Sequence, residues 1–556
     1  MSIEGINIVH HCFYQCTNLK KISIPSFVSE NECNSFDGCS SLEKIIFEVP
    51  SSLSSIGCNA FNQCSSLKNI TIPYDAKSIG SNAFNNCSSL TEVLMPSSMI
   101  LIDNNAFSKC TSLKQISIPS SVTSIGEGVF KDCSSLSQIS ISYSINKIEN
   151  YLFKGCTSLT QITIPSSVTS IGLYAFYECS SLIKITIPSS VTSIGKSAFY
   201  KCTSLKEIEI LSPLVSIKDH TFYGCSSLKY IDIPASVNTI GDYSFEGCSL
   251  LTYITIPSSV TSIGKGAFYK CSSLNQVAFD YPSSVASIGK CAFMECSSLI
   301  KITIPSSITS IKENTFYHCT SLQHFTIPTS ITSIENCAFY ECSSLKQINI
   351  PSSVKYIGMF VFSECKSLQQ VRISFSLKKL GIDMFSGCSS LKQISIPDSI
   401  THIDNHAFAC CSSLTDIAIP YSVISIGAHA FNNCLSLTQI AIPYSITSIG
   451  CNAFKNCSSL AQITIPYAVT FIGQSAFAGC SSLEQISIPQ SISSIEENTF
   501  SGCSSLKNVE IPPSVTKIGN HAFKGCLSLK KILIPHQTET ESNAFEGCSL
   551  LNIVYN

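Results

Sequence analysis

The chain has 556 residues, with 34 basic and 36 acidic side chains and a formal net charge of −2 at pH 7. This near-equal number of basic and acidic residues excludes the positive field with which proteins bind nucleic acids or anionic lipid surfaces. We expect neither as a partner. Mean hydropathy is +0.28, yet no apolar run approaches the roughly 18 residues that a membrane-spanning helix needs. We therefore expect no membrane span.

The chain opens without a recognisable secretory signal, because residues 1–11 lack a basic region, an apolar stretch and a small-residue cleavage site. Phe13 and Cys16 are already in register with the repeat described next, so residues 1–16 are predicted to form a partial first rung. His10, His11 and Cys12 lack the spacing of a zinc site. Localisation stays open: the protein remains in the cytosol, a leader is missing, or export takes another route.

One unit recurs from end to end and is well represented by residues 156–178, after which the next unit begins at Cys179. Its pattern is C-x-S-L-x-x-I-x-I-P-x-x-V-x-x-I-G-x-x-A-F-x-x. Self-similarity at a fixed period of 20–29 residues around L-x-x-I-x-I indicates a leucine-rich-repeat solenoid. We predict a mainly-β, right-handed solenoid of about 24 rungs. Because each rung contacts only its neighbours, residues 1–556 are predicted to form a single domain.

Each unit predicts a strand, a second shorter strand and a tight helical turn. Residues 159–164 alternate apolar with polar side chains, which is typical of a strand with one buried face. Pro165 ends that strand because it has no N–H to donate. Residues 168–171 return to the core, and a helical turn is predicted at Ala175 and Phe176. In several other units a charged residue replaces the glycine at position 172, so no left-handed backbone is required there.

The units are predicted to stack because one unit alone cannot bury its apolar side. Equivalent strands then form a parallel sheet, which we expect to be concave. The last unit, residues 535–556, lacks the Ile-Gly step and is predicted to be a degenerate C-terminal cap.

Most of the 31 cysteines are anchor residues that follow a phenylalanine by three positions, from Cys16 to Cys548. Stacked equivalents lie about 4.8 Å apart, whereas a disulfide needs Cβ atoms about 3.5–4.5 Å apart and suitably oriented. The anchors are therefore predicted to be buried thiols. Cysteines outside this column are Cys12, Cys33, Cys58, Cys291, Cys337, Cys410 and Cys451. Of these, Cys33 and Cys58 share a column on adjacent rungs and form the one candidate bridge.

The strongest local candidate for catalysis or metal binding is the group His402, Asp404 and His406, with His429 one unit later. Serine, asparagine and lysine occupy the same columns in other units, which favours polar residues on a turn. The sequence lacks a phosphate-binding loop, a dinucleotide fingerprint, a zinc-protease helix and a nucleophile elbow. We predict no catalytic residue, no metal, no cofactor and no small-molecule substrate.

The outward strand positions are mostly Gln or Lys followed by Thr, Ser or Ala, but one block of three successive units differs. It combines clustered carboxylates, which would select a basic partner, with tyrosines, which offer rigid contact area. The alternative is random drift on a solvated face. The predicted binding residues, with weaker departures further along, are Glu207, Glu209, Tyr230, Asp232, Tyr253, Tyr281, His324 and Arg372.

The consensus reads Ser158-Leu159, Ile162, Ile164-Pro165, Val168, Ile171-Gly172, Ala175-Phe176 and Cys179 in one unit. It resembles the BspA-like leucine-rich-repeat family of bacterial and protist surface proteins over residues 6–551. The resemblance implies a curved mainly-β solenoid and adhesion at the cell surface. It also implies host or extracellular-matrix proteins, such as fibronectin or fibrinogen, as the class of partner.

Two functional hypotheses follow. The first is a non-enzymatic surface antigen or adhesin that binds proteins through its concave sheet. The second is an intracellular scaffold that binds a cytosolic protein. The chain departs from a surface member of the family in having no recognisable leader, membrane span or wall anchor, which bears on localisation more than on fold.

Overall fold

The computed structural model describes residues 8–555. The chain divides into two compact units, of which unit 1 ends at Val285 and unit 2 begins at Ala286. Each unit is a stack of parallel coils, with one coil for each sequence repeat. The predicted leucine-rich-repeat solenoid is thereby confirmed, whereas a single domain stays a prediction.

The alternating segment of each repeat forms the first ladder, in which paired residues are equivalent residues of adjacent coils, as Lys184 and Glu207 are. The pairing is interrupted in places, so the ladder consists of several short parallel sheets. In unit 1 its strands are Lys21–Ile24, Lys44–Phe47, Asn69–Thr71, Glu92–Leu94, Gln115–Ser117, Gln138–Ser140, Lys184–Ile187, Glu207–Ile210, Tyr253–Ile256 and Gln276–Phe279. In unit 2 they are Lys301–Ile302, Gln347–Ile350, Gln370–Ile373, Asp416–Ala418, Gln439–Ala441, Gln462–Thr464, Gln485–Ser487, Asn508–Glu510, Lys531–Ile534 and Asn552–Tyr555. Single bridges continue the ladder at Gln161, Tyr230, His324 and Ser395.

The segment before the glycine forms a second parallel ladder of two-residue strands. In unit 1 these are Glu30–Asn31, Ser55–Ile56, Ser78–Ile79, Leu101–Ile102, Ser124–Ile125, Lys147–Ile148, Ser170–Ile171, Ser193–Ile194, Ser216–Ile217, Thr239–Ile240 and Ser262–Ile263. In unit 2 they are Ser287–Ile288, Ser310–Ile311, Ser333–Ile334, Tyr356–Ile357, Lys379–Leu380, His402–Ile403, Ser425–Ile426, Ser448–Ile449, Phe471–Ile472, Ser494–Ile495, Lys517–Ile518 and Glu539–Thr540.

The segment between the second-ladder strand and the next anchor cysteine forms the third side of each coil. A helical turn was predicted here, and this prediction is wrong, because the described residues form no helix. Alternate N–H groups are donated to the next coil, so they are not available for helical bonds. Phe176 N donates to the carbonyl of Ala198 at 2.8 Å, and Glu178 N donates to that of Tyr200 at 2.7 Å. Between these bonds the chain makes tight turns, and Glu178 has a left-handed φ of 59°. The third side is therefore also a ladder between coils.

Gly172 has no left-handed φ, as its replacement in other units led us to expect. A Cβ atom at this position would stand 2.6 Å from the backbone nitrogen of Asn150 in the preceding coil. The glycine therefore allows adjacent coils to approach closely. This close approach, and not turn geometry, explains why glycine occupies the position.

The core of each unit contains a continuous stack of phenylalanine rings. Phe176 and Phe199 have centroids 5.3 Å apart and planes inclined by 3°. In unit 1 consecutive rings of this column lie between 4.9 and 6.1 Å apart. Phe176, Cys179 and Leu182 are all fully buried, so the core repeats identically from coil to coil.

The anchor cysteines are thiols, and those of the inner coils are buried, as predicted, whereas Cys16 is exposed and Cys548 is half-buried. A buried anchor thiol also makes a hydrogen bond. Cys179 Sγ donates to the carbonyl of Phe153 at 3.1 Å, and that oxygen also accepts the N–H of Cys156 at 3.1 Å. Burial strongly favours the neutral thiol and raises the pKa of Cys225 to about 12. All 31 cysteines, including Cys33 and Cys58, are present as thiols.

The described parts of the terminal units still pair with their neighbours. Residues 1–7 of the predicted first rung lie outside the described range, but Ile8 bridges Asn31. In the predicted C-terminal cap, Glu539–Thr540 continues the second ladder against Lys517–Ile518. No helix in residues 8–555 is long and apolar enough to cross a bilayer.

We predict that Phe176→Ala destabilises unit 1 by about 3–5 kcal/mol, because it removes a fully buried ring and leaves a cavity between two stacked rings. Thr163→Ala, at an exposed position of the same coil, should change stability by less than about 0.5 kcal/mol. Denaturant midpoints followed by circular dichroism measure both. Equal effects would contradict the assignment of the ring to the core.

We also predict that the fold loses stability in alkali. Because the folded-state pKa of Cys225 lies above its ordinary value of 9.0, near 12, its contribution is complete below about pH 9 and is lost as the pH rises toward 12. Denaturant midpoints at about pH 8 and about pH 10 test this. The Cys225→Ala variant lacks one ionising group. Between these two pH values its free energy of unfolding should therefore fall by about 1 kcal/mol less than that of the parent chain.

Candidate functional site

The first ladder presents two outward side chains per coil on a rigid base. Glu207 and Glu209 are exposed, whereas Ile208 between them is only 5% exposed. The register places Lys184 beside Glu207 and Thr186 beside Glu209 in the preceding coil. Equivalent outward residues therefore form rows whose backbone positions are fixed by the ladder.

The structure brings five of the predicted binding residues together on three successive coils of unit 1. We call this set the acidic patch: Glu207, Glu209, Tyr230, Asp232 and Tyr253. A bridge pairs Glu207 with Tyr230, which fixes the order of the coils.

The carboxylates of the acidic patch are oriented by neighbours but remain accessible. Lys184 Nζ lies 3.0 Å from Glu207 Oε1, in a pair whose side chains are both more than half exposed. Such exposed ion pairs contribute little to stability, so a partner can displace the lysine at little cost. Thr186 Oγ1 donates to Glu209 Oε2 at 3.2 Å. Lys206 and Lys229 are exposed just before the strand positions and lie at the margin of the patch.

The tyrosines of the patch are held by hydrogen bonds within their own coils. Tyr230 is 52% exposed and its hydroxyl donates to Asp232 Oδ1. This bond to a carboxylate raises the pKa of the Tyr230 phenol above its ordinary value. Tyr253 is half-buried and its hydroxyl accepts a bond from Thr255 Oγ1 at 2.9 Å.

A shallow open groove runs along the first ladder just before the patch, and sequence reasoning missed it. It has a volume of about 910 Å³ and ends at Lys184 and Thr186, the neighbours of Glu207 and Glu209. Its outward lining includes the exposed Leu94 and a series of polar side chains: Gln115, Ser117, Gln138, Ser140, Gln161 and Thr163. Because these polar residues follow the consensus, only the packing of the coils reveals the groove.

The other predicted binding residues are not part of this cluster. Tyr281 is 97% exposed and lies beyond the end of strand Gln276–Phe279, off the strand face. His324 and Arg372 belong to unit 2, where both are exposed on the first ladder. One coil separates them, since His324 pairs with Gln347 and Arg372 pairs with Asn349.

The histidine group lies on two different sides of its coils. His402 is on the second ladder, where Nδ1 lies 2.9 Å from Thr401 Oγ1. His406 and His429 stack on the third side with centroids 4.5 Å apart. Burial, and then the charge of His406, lower the pKa of His429. Among residues 8–555, no three His, Cys, Asp or Glu side chains are placed to hold a metal ion.

Parallel coils with an L-x-x-I-x-I ladder and a repeated buried core define a leucine-rich-repeat protein. The chain belongs to the BspA-type leucine-rich-repeat family. The family description, "BspA type Leucine rich repeat region", matches in six copies at residues 4–114, 33–159, 125–252, 242–362, 309–437 and 424–552.

Solved structures with a similar fold come from several bacteria. A leucine-rich repeat protein of Bacteroides ovatus is 24% identical, with 88% of this chain and 92% of that chain covered and a TM-score of 0.32. A leucine-rich cell surface protein of Faecalibacterium prausnitzii is 29% identical, with coverage of 76% and 86% and a TM-score of 0.28. The pneumococcal vaccine antigen PcpA is 19% identical, with coverage of 64% and 79% and a TM-score of 0.35. The comparison with curated proteins gives no match.

Proposed function

We propose that this chain is a non-enzymatic scaffold that binds proteins through the first-ladder face of unit 1. The observation that carries the proposal is the acidic patch, which interrupts a uniform row of Gln, Lys, Ser and Thr side chains on a rigid ladder. Family membership supports the proposal at the level of a repeat scaffold.

The chemistry of the patch suits a basic protein surface. Three carboxylates, those of Glu207, Glu209 and Asp232, lie on two adjacent coils about 4.8 Å apart. They would pair with Lys or Arg, while Tyr230 supplies rigid contact area at a low entropic cost. The adjacent groove extends the available surface, and both polar and apolar side chains line it.

We place the protein at the cell surface, as an antigen or adhesin, because the family resemblance implies that location. One observation favours the second candidate, an intracellular scaffold. Cys12, Cys16 and Cys410 are exposed thiols, and exposed thiols persist more readily in a reducing compartment. The buried anchor thiols fit both locations, since burial keeps them neutral and unreactive.

We predict that Glu207→Lys combined with Glu209→Lys weakens binding about tenfold or more, because like charges would then face a basic partner. Binding of the full chain to immobilised fibronectin and fibrinogen, the partners implied by the family resemblance, measures the effect. Both positions are exposed, so the thermal midpoint should stay within a few degrees. Gln462→Lys, at a consensus outward position of the first ladder in unit 2, is the control, and equal harm there would contradict the acidic patch.

The surface assignment predicts that an antibody against the chain labels intact cells, whereas the intracellular alternative predicts labelling only after permeabilisation. A cytosolic marker protein that stays unlabelled controls for cell integrity. Signal confined to permeabilised cells would exclude the adhesin and leave the protein-binding scaffold in place.

A further inference from the structure

Three consecutive coils of unit 2 carry an exposed tyrosine at the position directly after the strand-ending proline. We call Tyr421, Tyr444 and Tyr467 the tyrosine stripe; they are 77%, 65% and 75% exposed. The corresponding residues in the first coils of unit 2 are Ser306, Thr329 and Ser352. The fold therefore does not require an aromatic residue at this position.

The stripe stands on rigid turns. Val423 N donates to the carbonyl of Pro420 at 3.1 Å, and Ser422 Oγ donates to the carbonyl of Ile400 in the preceding coil at 2.6 Å. The same pattern holds Tyr444, where Ser445 Oγ bonds the carbonyl of Val423 at 2.6 Å. Little backbone freedom would be lost if these rings bound a ligand.

The rings of the stripe do not form a closed structural stack. Tyr444 and Tyr467 have centroids 5.8 Å apart and planes tilted by 38°, which leaves their faces largely open. By contrast, Tyr177 and Tyr200 on the third side of unit 1 stack at 4.6 Å with planes within 2°. Tyr177 and Tyr200 are only partly exposed, and their ring faces pack against each other.

A shallow floor borders the stripe on the first ladder, where the nearest outward residues are small. Ala418 and Ala441 are exposed and paired in register. Two carboxylates lie at one end: Asp398, which occupies the stripe position in the coil before Tyr421, and Asp416, which shares a strand with Ala418. The surface thus combines an aromatic wall, a flat floor and a negatively charged end.

We propose that the tyrosine stripe docks a proline-rich segment in the polyproline II conformation that carries Lys or Arg at one end. Residues i and i+3 of such a segment face the same side and lie about 9.3 Å apart, at 3.1 Å per residue. The backbones of Tyr421 and Tyr467 are two coils apart, about 9.6 Å at the spacing between strands. The rings are spaced more widely than the strands, since Tyr444 and Tyr467 have centroids 5.8 Å apart. Two prolines can therefore contact the outer rings while Tyr444 lies between them.

The hydrogen-bonding groups match as well. A polyproline II segment has no internal hydrogen bonds, so its carbonyl groups can accept from the three tyrosine hydroxyls. Its conformation is already extended, which keeps the entropic cost of binding low, and aromatic surfaces are its usual receptors. The basic end pairs with Asp398, which occupies the stripe position in the coil before Tyr421 and is exposed. This site is independent of the acidic patch in unit 1.

The test uses the full chain and a fluorescently labelled synthetic peptide with proline at every third position and one terminal arginine. Fluorescence anisotropy should give saturable binding that Tyr444→Ser weakens by about tenfold or more. Tyr74→Ser is the matched control, because Tyr74 follows a proline in the same way and is 75% exposed but has no tyrosine at this position in the adjacent coils. Asp398→Asn should weaken binding of this peptide and leave a peptide without arginine unaffected.

Several outcomes would overturn the proposal. These are no binding by the parent chain, equal loss in Tyr74→Ser, or equal affinity for a peptide in which glycine replaces the prolines. Tyr444-dependent binding of a linear oligosaccharide, with none of the peptide, would make the stripe a glycan site and the proposal wrong. Thermal midpoints of all variants should match the parent, since each replaced side chain is exposed. Failure at the acidic patch leaves this test unaffected.

Discussion

Every coil depends on its neighbours because many of its backbone hydrogen bonds lead out of the coil. On the first and second sides the bonds form parallel ladders, and on the third side alternate N–H groups such as those of Phe176 and Glu178 are donated to the following coil. The side chains follow the same rule, since each ring of the phenylalanine column packs on the rings before and after it. A coil removed from the stack would expose both sets of groups at once, and this dependence keeps the core columns uniform.

The anchor thiols show that the dependence of each coil on its neighbours also determines the choice of a single residue type. Cys179 fills the space beside Phe176 and also bonds the carbonyl of Phe153 in the preceding coil. Alanine would fill less space and could not donate a hydrogen bond. The stack thus explains why so many cysteines occur in a chain without disulfides between them.

Much of the fold was predictable because apolar and polar residues alternate within each repeat in the same order as buried and exposed side chains alternate in the structure. The alternation in residues 159–164 and the proline that follows identified the first ladder, and the period fixed its register. The helical turn was wrong for a specific reason: Ala175 and Phe176 favour a turn locally, but no local pattern tells that the N–H of Phe176 is donated to a residue of the next coil. For Gly172, the replacements in other units indicated correctly that no left-handed backbone is required, but they could not reveal the close approach to Asn150.

The candidate surfaces were only partly predictable, since exposed columns tolerate many residues and carry a weak signal. Departure from the consensus identified the acidic patch, and the register then placed its members side by side. The groove beside it consists mostly of consensus residues, so departure from the consensus did not reveal it. The tyrosine stripe lay in the sequence as three Ile-Pro-Tyr triplets, but its meaning needed the exposure of the rings and their open tilt. In a stack whose core is fixed by repetition, function can vary at such outward positions, and we take a departure from the common residue that extends over consecutive coils as the mark of a binding surface.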